Sequence, residues 1–204
     1  MMTEWFSYSL EDFLLFSPEV YWRLIQQHSV NFGAIAIVIE VIAIIAFYYL
    51  KHNHKRQIVI TILIGAWCSV GWFFFIKQYA AINTFAQYLG YACLIQSLFL
   101  LISLLKERTS IQQVSLTMSV DTWSRLQNNV TLICLSSVII FPVLAALLGF
   151  NWGTGVIGIL PLPTITISLI SVLLFKSRMR LFLLPIPTIL LVIELLTLKV
   201  LLNA

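Results

Sequence analysis

Phe32-Gly-Ala-Ile-Ala-Ile-Val-Ile-Glu40-Val-Ile-Ala-Ile-Ile-Ala-Phe-Tyr-Tyr-Leu50 is an apolar run with one charge, Glu40, closed by Lys51. A helix needs about 20 such residues to cross a hydrocarbon core ~30 Å thick. Five more runs follow: Ile58–Ile76, Ala80–Leu105, Asn129–Leu148, Gly153–Phe175 and Leu181–Leu202. Lipid offers no hydrogen-bond partner to a backbone amide, so runs of this length must satisfy themselves as helices. The expected fold is all-α: residues 32–204 form a polytopic membrane bundle of six transmembrane helices. Residues 1–31 form an amphipathic segment at its outer face.

The composition agrees. The chain is 60% hydrophobic and 10% charged, where soluble domains carry about 25% charged residues. A separate catalytic domain has no room in 204 residues. The formal charge of +4 does not point to nucleic acid, because its residues sit between the runs. Lys51, Lys55 and Arg56 follow the first, Lys106, Arg108 and Arg125 the third, and Lys176, Arg178 and Arg180 the fifth. The other connections hold only Lys77. Basic loops stay cytoplasmic, which predicts a multi-pass protein of a bacterial inner membrane with both termini on the outer side. No signal peptide is legible at the N-terminus, and the first run is expected to drive insertion. Three runs per half would orient the halves oppositely, as in the inverted repeats of transporters, although the halves share no evident similarity.

The first segment carries helix signals. Ser9-Leu-Glu-Asp12 fits a capping box, and Ser17-Pro18-Glu19 places an N-cap, a first-turn proline and an acid in order. Val20, Tyr21, Trp22, Leu24 and Ile25 then offer an apolar, aromatic surface, with Arg23 and Gln27 turned to water. Such a helix anchors at an interface; a lid or a partner surface is the functional alternative. Residues 106–128 are expected to form a surface helix at the cytoplasmic side.

Few residues promise chemistry. Cys68, Cys93 and Cys134 lie inside runs without close spacing, as packing residues do rather than disulfide or zinc ligands. His52 and His54 lack a third ligand and stand among Lys51, Lys55 and Arg56, so no metal is expected. No histidine falls in a run, which argues against an intramembrane haem. Hydrolase, P-loop and dinucleotide motifs are absent. The chain is therefore expected to be no enzyme, with no catalytic residue and no cofactor.

What remains is a polar layer. At 1.5 Å rise per residue, Glu40, Glu194 and Gln87 lie ~11–12 Å from the outer ends of their runs, Pro142 and Pro161 at ~10–12 Å, and Trp67 slightly deeper. An acid there is costly, at least ~2.5–3.5 kcal/mol, and two could bind a cation or share a proton. The alternative is that each hydrogen-bonds a neighbouring helix and fixes packing. Lys199 snorkels toward the interface. Pro161-Leu-Pro-Thr164 recurs as Pro185-Ile-Pro-Thr188. Prolines two apart free carbonyls that a hydroxyl, water or ligand must meet; a pair of structural kinks is the other reading. Tyr79, Asn83 and Gln87 recur every four residues, as on one helix face. Gly65, Ser69 and Gly71 permit close helix approach. The candidate ligand-binding set is Glu40, Glu194, Gln87, Asn83, Trp67, Pro161, Pro163 and Thr164.

Ser9-Leu-Glu-Asp-Phe-Leu-Leu-Phe-Ser-Pro18 with Tyr21 and Arg23, Tyr79-Ala-Ala-Ile-Asn83, and both Pro-x-Pro motifs resemble the bacterial domain-of-unknown-function family 6064 over nearly the whole chain. The resemblance implies a six-span membrane protein of a kind sometimes labelled permease-like. Relatives often read Pro-Asp-Pro-Thr where this chain has Leu162, so a role carried by that aspartate is in doubt here. The expected function is a small permease or transport component, proton- or cation-coupled. The alternative is a non-catalytic subunit or assembly factor of a larger membrane complex. The expected partners are the lipid bilayer and either another membrane protein or a second copy of the chain, with no nucleic acid.

Overall fold

The computed structural model describes residues 17–53, 56–109, 120–173 and 177–203. The capping box at Ser9–Asp12, His54, Lys176 and loop residues 110–119 lie outside them. The described residues form eight α-helices and no β-strand: α1 (Pro18–Asn31), α2 (Gly33–Asn53), α3 (Arg56–Ser69), α4 (Ala86–Thr109), α5 (Val120–Leu147), α6 (Pro161–Val172), α7 (Ser177–Leu183) and α8 (Pro185–Asn203).

α1 starts where its signals put it. Ser17 is extended, Pro18 opens the first turn and Glu19 follows, although the Ser17 hydroxyl makes no capping bond. The chain then bends by 73° into α2, through Phe32, whose N–H still reaches His28 O at 3.1 Å. α1 therefore lies across one end of the bundle, while α2–α5 and α8 run along it.

α3 passes directly into a π-helical turn, Val70–Ile76. The wider turn sends Phe74 and Phe75 into the core and leaves Trp72 and Phe73 exposed. A 3₁₀ turn at Tyr79–Ala81 precedes α4. The third apolar run therefore becomes helix only at Ala86, six residues later than read, because Asn83 Oδ1 accepts the Phe85 N–H at 3.0 Å and caps the start. α4 meets the π-turn at a glycine pair: a Cβ on Gly71 would stand 2.9 Å from Gly90 O, and one on Gly90 2.8 Å from Gly71 O. Gly65, expected to serve the same approach, faces open space instead.

The expected continuous helix over Gly153–Phe175 is broken. Trp152–Gly155 makes a 3₁₀ turn. Val156–Ile159 makes a tight turn, with Ile159 N–H on Val156 O at 3.3 Å. Gly158 has φ +82°, the conformation a type II turn demands at its third position. Only then does α6 begin, 12 residues long. The cause is Pro161: it suits a first helical turn but forces the residue before it out of the α region, and Leu160 is indeed extended at φ −114°, ψ 158°. No residue of α6 is exposed, so its broken entrance is enclosed by protein. The sixth run breaks in the same way at Leu184, between α7 and α8.

Among the described residues four helical stretches are long and apolar enough to cross a membrane: Gln57–Ala81, Ala86–Lys106, Asn128–Leu147 and Met179–Leu201. The bent pair α1–α2 makes a fifth if it is counted as one span, and α6 is too short to be a crossing helix by itself.

Candidate functional site

The two Pro-x-Pro-Thr motifs build the same device twice. In each, a leucine precedes the first proline, and the threonine hydroxyl donates to that leucine's carbonyl: Thr164 Oγ1 to Leu160 O at 2.9 Å, Thr188 Oγ1 to Leu184 O at 2.8 Å. In each, one carbonyl is left without a helical partner: Pro187 has no N–H for Leu183 O four residues back, and the extended Leu160 puts Ile159 O outside the α6 ladder. That carbonyl is met by a buried side chain from another helix. His28 Nε2 of α1 donates to Ile159 O at 3.1 Å, and Gln96 Nε2 of α4 donates to Leu183 O at 3.1 Å. His28 is 2% exposed and Gln96 is 0% exposed; His28 also faces Gln78, while Gln96 keeps its buried Oε1 without a partner. The freed carbonyls at Ile159 and Leu183 are thus occupied by protein donors and are not open to a ligand.

Four of the expected residues gather around α6. Pro161, Pro163 and Thr164 are buried at its start. Thr164 Oγ1 also accepts the Gly158 N–H at 2.8 Å, which ties the tight turn to the helix. Trp67 is fully buried, and its indole N–H donates to Ser168 Oγ at 3.1 Å. A Cβ on Gly158 would stand 3.2 Å from Ala66 Cα, so the turn lies directly against α3.

Glu194 of α8 is 5% exposed. The Tyr21 hydroxyl of α1 donates to its carboxylate. Tyr79 and Cys93 stand close enough to feel its charge, and the Tyr21 and Tyr79 rings meet edge to face at 5.4 Å. Tyr79 also hydrogen-bonds Asn83. The carboxyl is thus surrounded by hydroxyls and a thiol. Among the described residues no Lys, Arg or His pairs with it.

The other expected residues stand apart from this group. Glu40 of α2 is half-buried, its Oε2 enclosed without a partner. No hydrogen bond or charge interaction joins it to Glu194. The reading of two acids sharing one proton therefore fails: equal depth on two helices does not bring their faces together. Gln87 is exposed and donates to Tyr91 Oη at 3.0 Å on the outside of α4. Its four-residue spacing from Tyr79 and Asn83 has no meaning as a face, because those two residues precede the helix.

Sequence reasoning passed over His28 and Gln96, and it read Tyr21 only as part of an interfacial surface. A signal was present. Tyr21, Ile25 and His28 follow the 4, 3 spacing of one helix face, and all three are buried. Gln96 lies on the buried stripe Leu89, Cys93, Gln96, Leu100. Burial lowers the His28 pKa below its ordinary value, with the Ile159 carbonyl and a hydrogen bond to Gln78 opposing the shift. Beside α1 a cleft of about 300 Å³ opens between Val20, Arg23, Leu24 and Gln27 on one side and Gln78 and Ile82 on the other.

Residues 18–200 match the family described as Family of unknown function (DUF6064), and the chain belongs to it. No curated protein and no solved structure matches the chain.

Proposed function

We propose that this chain is a small membrane transport component, a permease-like protein that takes up a proton or cation at Glu194. The observation that carries the reading is the carboxyl itself. It is buried in an apolar helix, held by a tyrosine hydroxyl and paired with no cation among the described residues. An acid so placed is expensive unless a proton or cation neutralises it. α6 adds support: a half-length helix with an irregular, protein-enclosed entrance packs against α8, the helix bearing Glu194. Interrupted helices of this kind mark the binding region in many transporters.

The bundle's surface supports a membrane setting. Val38 is 58% exposed, Ile42 49%, Ile140 51% and Val192 51%, on faces that water would leave unfavourably hydrated. The proposal places the chain in a bacterial inner membrane with six crossings, α6 and its entrance making the fifth. The basic loops lie on the cytoplasmic side, and α1 and both termini lie outside. We propose a transport role and no enzymatic activity.

The test is proton entry into vesicles reconstituted with the full chain and loaded with a pH-sensitive dye, driven by an imposed membrane potential. Glu194→Gln keeps the hydrogen bond to Tyr21 and should abolish the dye response. Glu40→Gln, which lacks contact with that group, should reduce it far less. An unchanged response with Glu194→Gln overturns the reading. A stoichiometric partner that co-purifies from the native membrane would favour a subunit of a larger complex.

A further inference from the structure

α1 leaves the line of α2 at a 73° bend. It meets the functional group through two polar contacts on one face. Tyr21 donates its hydroxyl to Glu194. Two turns later His28 donates to the Ile159 carbonyl at the entrance of α6. His28 also hydrogen-bonds Gln78, Ser29 backs onto Gly153, and ring contacts join Trp22 to Phe150 at 5.2 Å, Tyr21 to Tyr79 at 5.4 Å and His28 to Phe74 at 5.5 Å. The helix ends at a 73° bend, where Phe32 departs from helical geometry at φ −100°, ψ 8° and a Cβ on Gly33 would meet nothing within 4 Å. A few element-terminal residues of this kind suffice as a hinge. On one flank α1 leaves the cleft of about 300 Å³ against Gln78 and Ile82, so that side is incompletely packed.

We infer that α1 is a lid over the Glu194 carboxyl, hinged at Phe32 and latched by the Tyr21 hydroxyl and the His28 imidazole. The inference rests on the assignment of Glu194 as the site of uptake and adds how access to it is controlled. The two latches act on two parts of one site. Lifting α1 strips Glu194 of its hydrogen-bond donor, and the same motion frees the Ile159 carbonyl, so the entrance of α6 gains an acceptor as the acid becomes reachable. The second motif behaves differently. Its carbonyl, Leu183 O, is held by Gln96 from α4, which is packed along its length, so the Leu183 break stays closed when α1 lifts. The cleft between α1 and the 78–82 turn is the opening through which water first enters.

Hydrogen–deuterium exchange on the full chain in lipid nanodiscs tests this without any transported substrate. Tyr21→Phe and His28→Phe keep a ring at each position and remove only the donors. In the double variant, peptides covering residues 18–31 and 156–160 should exchange together, faster than in the parent by about tenfold or more, the factor carried by one or two lost hydrogen bonds. Peptides from α4 and α5 should keep the parent rate, and the single variants should lie between. An unchanged rate over residues 18–31, or an acceleration spread equally over α4 and α5, overturns the lid. Because exchange is read without ion flux, a silent Glu194→Gln phenotype and a failed lid are separate results.

Discussion

Gln96 shows what one buried amide does for a broken helix. Its Nε2 supplies the donor that Pro187 lacks, at 3.1 Å from Leu183 O. Reversing the amide would set two oxygens against each other, so the orientation is determined and Oε1 is left enclosed without a partner. Gln96→Leu should lower stability in detergent by ~1 kcal/mol, the cost of orphaning one buried carbonyl offset by losing an unsatisfied oxygen. In a Pro187→Ala background residue 187 regains its N–H, the carbonyl has a partner along its own helix, and the same Gln96→Leu change should cost nothing or stabilise. Thermal unfolding of the four proteins of this cycle measures the coupling. Equal costs in both backgrounds would show that Gln96 does not serve the proline gap. His28 meets the carbonyl at the other break, Ile159 O, but from α1, and that difference makes one break movable and the other fixed.

At the scale of elements, the close approaches decide which helices can sit together. Gly155 backs directly onto the Phe141–Pro142 peptide of α5, and a Cβ there would collide with backbone on both sides of that bond. Gly155→Ala should therefore cost about 3 kcal/mol, the upper range for forcing atoms into a packed interior. Gly65→Ala meets nothing within 4 Å and should stabilise α3 by up to ~1 kcal/mol from helix propensity alone. Melting temperatures of the two variants in the same detergent give opposite signs if the packing is as described. The contrast also marks how far the sequence could be read. Apolar length found the helices α2 to α5 and α8, and the two Pro-x-Pro motifs marked where the fifth and sixth runs are interrupted, although by sequence they read as kinks or freed carbonyls within continuous helices. It was not legible that the fifth run is mostly turn and half-helix, because apolar content is the same in a buried loop as in a span. Depth at 1.5 Å per residue put Glu40, Glu194 and Gln87 at one level, but level is only one coordinate. The face each residue presents depends on where its helix starts, and Asn83 starts α4 late enough to turn Gln87 outward.

For the whole molecule, the proposed topology turns on α6 crossing rather than returning, and charge and packing both favour crossing. Twelve residues reach only ~18 Å at the helical rise, short of a ~30 Å core, so α6 alone resembles a re-entrant segment. A re-entrant α6 would leave Arg178 and Arg180 on the same side as α1, opposite to Lys51 and Arg56 after α2, and would break the charge rule for this loop alone. A crossing α6 keeps all three basic loops together. It needs irregular backbone at membrane depth, which is tolerated only where protein encloses it. That condition is met: residues 155–161 are all buried, the turn held by Thr164, His28 and the Ala66 backbone. If α6 crosses as proposed, the total is six and a reporter fused after Ala204 should lie on the same side as α1. Alkaline phosphatase placed there should be active and green fluorescent protein dark, while a fusion in the loop around Arg178 should give the reverse. A fluorescent fusion after Ala204 would mean that α6 turns back. The loop around Arg178 would then lie on the side of α1, and its arginines would be the exception to the charge rule.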